Sequence, residues 1–571
     1  MPLFVIGRPN TATHDSFKLP TLAHLAACQR RGVPIWDALL NKSSRKYPFL
    51  LFALTDTVAT AHMSKSVGHH GCSGCQLLCE MPGHHKPGVG TYYPALLRLN
   101  STRLPPSSAH PDIDVDLVTT PTVESYCSRL SLVMNSMTLG QYKKQRKKTG
   151  IRGPSLFRTI EYNGADDLAL ADFTILSDPD DFAAFGTAVA HARPFIPTNV
   201  ETRAPRNPAE KINSGYKASE YYTLIFSLCP GLFYGRLPDY LYKHFCQLVL
   251  AIRLVHRRHK SHQELLEAQQ NLKEFVVLFE HYYYQRKINC LHFVRPCIHA
   301  LLHIFDELLR VGSLAEVSQW TMERTIGNYE RRIRLPADPY GNLNQEIIEQ
   351  ATTNALVAMD PSFCAPKTQN QWLSIDIGSR YVSLHPRGTH LMEPSVTVAF
   401  RAFCEANSWT FERQTDINSP QVTWFARLRL PNGQEARSLW KEGNWEIELV
   451  RRARNVKISL SMELRYAEVL YYFTVMQGNT RFTLAAVTLY SCPHPDILEK
   501  SLKMLKVCTK EEDVQIIDAK WIVEVVGMIP FRRAEISWDD KEEVNEYFIL
   551  EKFYSNVVIH SVEDEESEEE Y

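Results

Sequence analysis

The chain has 571 residues, 44% of them hydrophobic and 22% charged, which is enough apolar content for about three or four globular domains with real cores. Its 63 Lys and Arg nearly balance 64 Asp and Glu, so the net charge of −1 excludes a whole-chain electrostatic case for nucleic acid or membrane; any such case must be local. Thirteen cysteines over this length, most of them single in apolar contexts, exclude a disulfide scaffold and point to a reducing compartment.

The first residues, "MPLFVIGRPN", lack the basic-then-apolar order of a signal peptide, and no apolar run approaches about 18 residues, so a membrane partner is not expected. Leu3 to Gly7 reads as a buried strand stopped by "RPN". Leu19 to Gly32 reads as a helix, with Leu22, Leu25 and Ala26 at helical spacing and Gly32 as its stop. Pro48 to Asp56 is a second apolar strand ending on an acid, and strand, helix, strand argues for an α/β layer. Val67 to Lys86, "VGHHGCSGCQLLCEMPGHHK", is a Cys/His loop. Residues 101–215 read as an irregular basic linker. Residues 216–360 carry four amphipathic runs and read as helical. Residues 361–555 read as β-rich, with "SVTVAFRAF", "QVTWFARLRL", "VKISLSMELRY" and "VQIIDAKWIVEVVGMIP" as strands and "QGNT" as a hairpin turn. Residues 556–571 form an acidic tail expected to be disordered.

Four constellations carry chemistry. Cys72 and Cys75 form a C-x2-C knuckle, and two thiolates at that spacing can hold two corners of a zinc tetrahedron, with His69, His70, His84 and His85 as sources of the others. A redox pair and a loop merely shaped by small residues are the competing readings. Asp56 at a strand end is a turn former unless a second acid faces it; paired carboxylates hold Mg2+ ions for phosphodiester cleavage. Glu323 sits mid-helix among Arg324, Arg331, Arg332 and Arg334, which suits either a solvated charged face or a metal ligand beside phosphate contacts. Lys143, Lys144, Arg146, Lys147 and Lys148 make a basic strip that suits phosphates, a nuclear import signal or a solvated loop.

The segments "FVIGRP", "SFKLPTLAHL", "GVPIWDA", "GHHGCSGCQLLCEMPGHHKPG", "TGIRGPSLF", "RNPAEKINSGYKASE", "LPDYLYKHFCQLVLAIRL" and "MERTIGNYERRIRLPADPYGNLNQ", in that order, resemble the CACTA/EnSpm-type DDE transposases in their fungal form. The resemblance implies an α/β plus α plus β multidomain chain. Residues 1–100 would form part of an RNase H-like core, residues 216–360 the long helical insertion and terminal catalytic helix, and residues 361–555 an accessory β-rich domain. It implies that Asp56 and Glu323 are two of three catalytic acids, ligating Mg2+ or Mn2+ for strand cleavage and transfer. It further implies binding to transposon-end DNA through the basic strip and Arg324, Arg331 and Arg332, a nuclear location, and a homo-oligomer. The family's first acid precedes the "FVIGRP" strand, and the acid-x-x-His segment expected after "PSLF" is replaced by "LADFTILSDPDDFAAFGTAVAHARPF". The expectation is therefore a transposase-derived protein with impaired catalysis; the alternative is a non-catalytic DNA- or chromatin-binding remnant. Within that resemblance, the Cys72/Cys75 loop braces the strand that ends at Asp56.

Overall fold

The structure is a computed structural model describing residues 14–37, 42–48, 53–54, 57–86, 88–100, 110–154, 162–163, 179–201, 203–212, 215–258, 260–314, 327–329, 331–332, 338–360, 374–409, 421–443, 451–460, 463–477, 480–533 and 544–552. Asp56, Glu323, Arg324, the Leu3 to Gly7 segment and the acidic tail lie outside the described residues. The chain mixes helix and sheet and divides into two compact units. One comprises Met1–Ala171 and Leu265–Lys367, the other Asp172–Glu264 and Thr368–Tyr571. The division is interleaved rather than serial: the helical stretch read as one insertion is shared between both units.

In the first unit, helix His14–Arg31 ends where Gly32 adopts φ +68° and returns its N–H to Cys28 O. A left-handed residue there needs glycine, so this stop signal was readable. An antiparallel ribbon, Val33–Asp37 with Lys42–Lys46, follows. Ala53–Leu54 pairs in parallel with Tyr162–Asn163. Helices stand in the stretch expected to be irregular, two of them in this unit: Val123–Met134 and Leu139–Thr149. Thr122 and Thr138 cap them, and Thr138 with Gln141 forms a reciprocal capping box, the sequence signal that outweighs the density of charge. Leu130, Val133 and Ile151 make a small core with Leu78, Tyr126 and Tyr142 against it. A second cluster, Tyr93, Ala95, Leu99, Tyr284, Leu291 and Val294, joins the loop beyond the cysteines to the segment after helix His262–Phe279.

In the second unit, an antiparallel sheet runs Gly527–Pro530, Glu546–Leu550, Val507–Asp518, Thr480–Tyr490, Glu463–Gln477, Gln421–Arg429, Tyr381–Leu391, Ser374–Gly378. Gln477 sits opposite Thr480, the strand register that a two-residue hairpin at "QGNT" requires; Gly478 and Asn479 lie outside the described residues. Period-two alternation splits the core: Ala485 and Val487 face one cluster, Leu484 and Ala486 the other. One expected strand is a helix. "SVTVAFRAF" lies in helix Pro394–Ala406, with Val396, Phe400 and Cys404 buried at i, i+4 and i+8. Its helical period prevails over its β-branched content. No described helix is long and apolar enough to cross a membrane.

Candidate metal centre and the basic lobe around it

The Cys/His loop folds by close backbone approach. Gly83 N–H donates to Cys72 O, Leu78 N–H to Cys75 O, and Gly71 N–H to Gly68 O. A Cβ on Gly74 would stand 2.9 Å from the carbonyl oxygens of Gly68 and Gly71, so only glycine fits. Leu78 takes φ +58°, and the reversal carries Cys79 back beside Cys75.

The partners come from 220 residues downstream. Pro296 starts the short helix Pro296–Ala300, which continues through the tight turn Leu301–His303 into helix Ile304–Val311. The four-residue spacing puts His299 and His303 on one face, with Nε2 atoms 3.2 Å apart. His299 Nε2 lies 3.2 Å from Cys79 Sγ, and His303 Nε2 lies 3.6 Å from Cys75 Sγ. All four ligand atoms fall within 4.8 Å of one another. A zinc tetrahedron with Zn–N near 2.0–2.1 Å and Zn–S near 2.3 Å has edges of roughly 3.3–3.8 Å; the three contacts of 3.2, 3.2 and 3.6 Å lie close to these, and the 4.8 Å span of the group is wider.

The donor chemistry fits the ion in three further ways. Cys79, His299 and His303 are buried and Cys75 is half-buried, so little of the group meets water. The Cys79 thiol holds Cys75 well below the ordinary thiol range, with His299 and His303 adding to that, while Cys79 is pushed well up. One thiolate of the pair is thus favoured before any metal arrives, and metal would deprotonate the second. Burial works against the His303 imidazolium, but Cys75, Asp306 and Glu307 together hold its pKa above the ordinary value, so a metal must displace a proton there. His303 Nδ1 faces Thr120 Oγ1 at 3.5 Å, and that hydroxyl donates to Asp306 Oδ2 at 2.9 Å. This chain orients the imidazole from behind, as outer partners of metal-bound histidines do. Four protein ligands with no open corner make a structural centre rather than a catalytic one.

The expected ligand set is corrected in three of its four members. Cys75 is a ligand candidate as read. Cys72 is not in the cluster: it is half-buried, burial raises its pKa, and Lys147 partly offsets that. His69 and His70 lie ring against ring at 3.9 Å, and His70 Nδ1 is 3.4 Å from Thr91 Oγ1. His84 stacks on His110 at 3.9 Å and His85 tilts against Tyr92. The missed residues are Cys79, His299 and His303. The signal for them was C-x3-C followed far downstream by H-x3-H in an otherwise apolar helix.

The same loop carries the basic strip. Ser73 Oγ donates to Lys148 O at 3.1 Å and to Lys147 O at 3.3 Å, the end of helix Leu139–Thr149. Gly150 caps that helix at φ +72°, and a Cβ there would strike Ser73 O at 2.4 Å. Val67 N–H bonds Gly150 O and Arg152 N–H bonds Lys65 O, so loop and helix form one lobe. Tyr142, Gln145 and Thr149 face inward, while Lys143, Lys144, Arg146, Lys147 and Lys148 are all exposed. Lys147 stands over the Tyr92 ring, 5.4 Å from its centre. Segments 57–100 and 123–154, which build the lobe, hold ten Lys and Arg against two carboxylates, Glu80 and Glu124. Of the three acids between them, Asp112 pairs with Arg286 and Asp116 with Lys273 in this unit, and Asp114 caps the turn that follows it. Arg331 instead bonds its own turn at Gly327 O, and Arg332 reaches Gln350 and Glu346.

Comparison of the chain with protein-family models, curated proteins and solved structures found no match.

Proposed function

We propose that this chain is a zinc-stapled, nucleic-acid-binding protein of DDE-transposase descent, and that its present activity is DNA binding rather than strand cleavage. The observation that carries the reading is the charge of the lobe built on the Cys/His loop: ten cations against two carboxylates in a chain whose net charge is only −1. Phosphate backbones are the polyanions that such a face suits. The Cys75, Cys79, His299 and His303 centre, closed and mostly buried, supports a role in holding that face in shape. Asp56 and Glu323 remain the residues that the transposase resemblance offers for Mg2+ or Mn2+; binding requires neither.

The test is duplex-DNA binding by the full chain across a salt series. The expected plot of log affinity against log salt is linear and steep. Changing Lys143, Lys144 and Lys148 together to Ala should make its slope shallower by about 2–3, one unit per lost phosphate contact. Absence of DNA binding at about 50 mM salt, a condition that favours any phosphate contact, would refute the reading.

A further inference from the structure

The turn joining the two helices of the basic lobe leaves large apolar side chains in water. Helix Val123–Met134 closes at Asn135, whose N–H returns to Ser131 O, and Ser136 N–H returns to Val133 O. Met137 N–H and Thr138 N–H both donate to Gln141 Oε1, at 2.9 and 3.2 Å, and Gln141 N–H donates to Thr138 Oγ1 at 3.1 Å. The backbone of the tip is therefore fixed. In a capping box the residue before the cap usually packs on the fourth residue of the helix. Here those residues are Met137 and Tyr142. Tyr142 instead turns inward against Leu130, Val133 and Ile151, and its hydroxyl donates to Arg152 O at 3.0 Å. Met137 is left 89% exposed, with Leu139 at 67% and Met134 at 57%.

A rigid tip that forgoes its own local burial marks a contact surface. The partner must also suit what flanks the tip, which is a helix with five exposed cations in a lobe almost free of carboxylates. Apolar side chains flanked by phosphate-binding cations are the means by which proteins unstack a base step. We propose that Met137, with Met134 and Leu139, is a wedge that enters duplex DNA at a kinkable or interrupted base step while helix Leu139–Thr149 holds the flanking phosphates. This rests on the nucleic-acid reading above and names its substrate class: a duplex with a bulge, a mismatch or a flexible pyrimidine–purine step, where unstacking is cheapest.

The experiment uses the zinc-loaded full chain and two duplexes of equal length, one uniform and one with a two-nucleotide bulge, together with phosphatidylserine vesicles. The wild type should prefer the bulged duplex by about ten-fold, and Met137→Ser with Leu139→Ser should cut that preference to about two-fold or less with the salt slope unchanged. Lys143→Ala with Lys144→Ala should weaken both duplexes alike. Both tip residues are exposed, so zinc content and thermal midpoint should not move in the serine variant. Equal binding of both duplexes by the wild type, or a preference that survives the serine changes, overturns the wedge and leaves the DNA reading standing. No binding to either duplex overturns the DNA reading and the wedge with it. Tip-dependent binding to the vesicles in place of the bulged duplex, or tip-dependent self-association without DNA, also overturns the wedge.

Discussion

In the sheet-bearing unit, buried residues gather in clusters of seventeen and twelve, one on each face of the strands. In the Cys/His-bearing unit, the described clusters hold six and three. Beside further buried side chains such as Leu272, Phe275, Val276, Phe279, Leu301 and Leu302, that unit carries polar devices joining segments far apart in sequence: the Cys75, Cys79, His299 and His303 group, and the Glu280 side chain bonded to the backbone of Leu96 and Leu97. The sheet unit also buries charge, as in Glu468 between Arg454 and Lys510, but sets it beside a large apolar core. Apolar burial stabilises roughly in proportion to area, whereas a metal-ligand group or a buried hydrogen-bonded carboxyl acts through a few individually strong bonds. A structural zinc centre supplies about 10–16 kcal/mol of apparent binding energy, comparable to about three buried aromatic side chains.

The sharpest way to break this contrast is to remove the metal. A strong chelator, or His303→Ala, should abolish cooperative unfolding of the Cys/His unit and open residues 57–154 to limited proteolysis, while the sheet unit keeps its transition. Metal analysis should find about one zinc per chain in the wild type and in Cys72→Ser, and less than about a tenth in Cys79→Ser or His299→Ala. The reverse pattern, with Cys72 needed and Cys79 dispensable, would restore the C-x2-C reading. The complementary cut is Phe473→Ala, which empties a fully buried site in the sheet. It should cost about 3–5 kcal/mol in the sheet unit's unfolding, measured in denaturant, without releasing zinc.

How legible was each region? The hairpin at "QGNT" and the helix stop at Gly32 were readable because each depends on a few adjacent residues. "SVTVAFRAF" carries the β-branched content of a strand, yet Val396, Phe400 and Cys404 recur at the spacing of a buried helix face. The basic strip was read as part of an irregular linker although Thr138 and Gln141 spell a helix start just before it. The metal centre was half legible. Cys75 was found, but the C-x2-C pattern drew attention to Cys72 rather than Cys79. His299 and His303 were absorbed into an amphipathic helix, and no local pattern links them to a loop 220 residues away. A chelate between distant segments is a fact of tertiary structure; the sequence shows its halves, not their meeting.

The smallest expected effect concerns the second polar device. Glu280 is fully buried and accepts N–H bonds from Leu96 at 2.6 Å and Leu97 at 2.9 Å. Burial pushes its pKa up to about 7 from 4.5; the two backbone bonds and Arg286 oppose the rise, and Asp112 adds to it. The folded unit therefore holds this proton more tightly than the unfolded chain does. The stability linked to that proton is full below pH 4.5 and is lost as pH rises through about 7, a contribution on the order of 3 kcal/mol for a shift of this size. Asp112, held down to about 2 by Arg286, stays ionised across that window and does not add to the slope. Zinc affinity runs the other way, because its ligands shed protons as pH rises. The comparison must therefore be made at saturating zinc, between the wild type and Glu280→Gln, whose amide oxygen can still accept a backbone N–H. From pH 5 to 8 the wild-type midpoint of the Cys/His unit should fall relative to the variant. Parallel curves would mean that the proton on Glu280 is not part of what holds the loop.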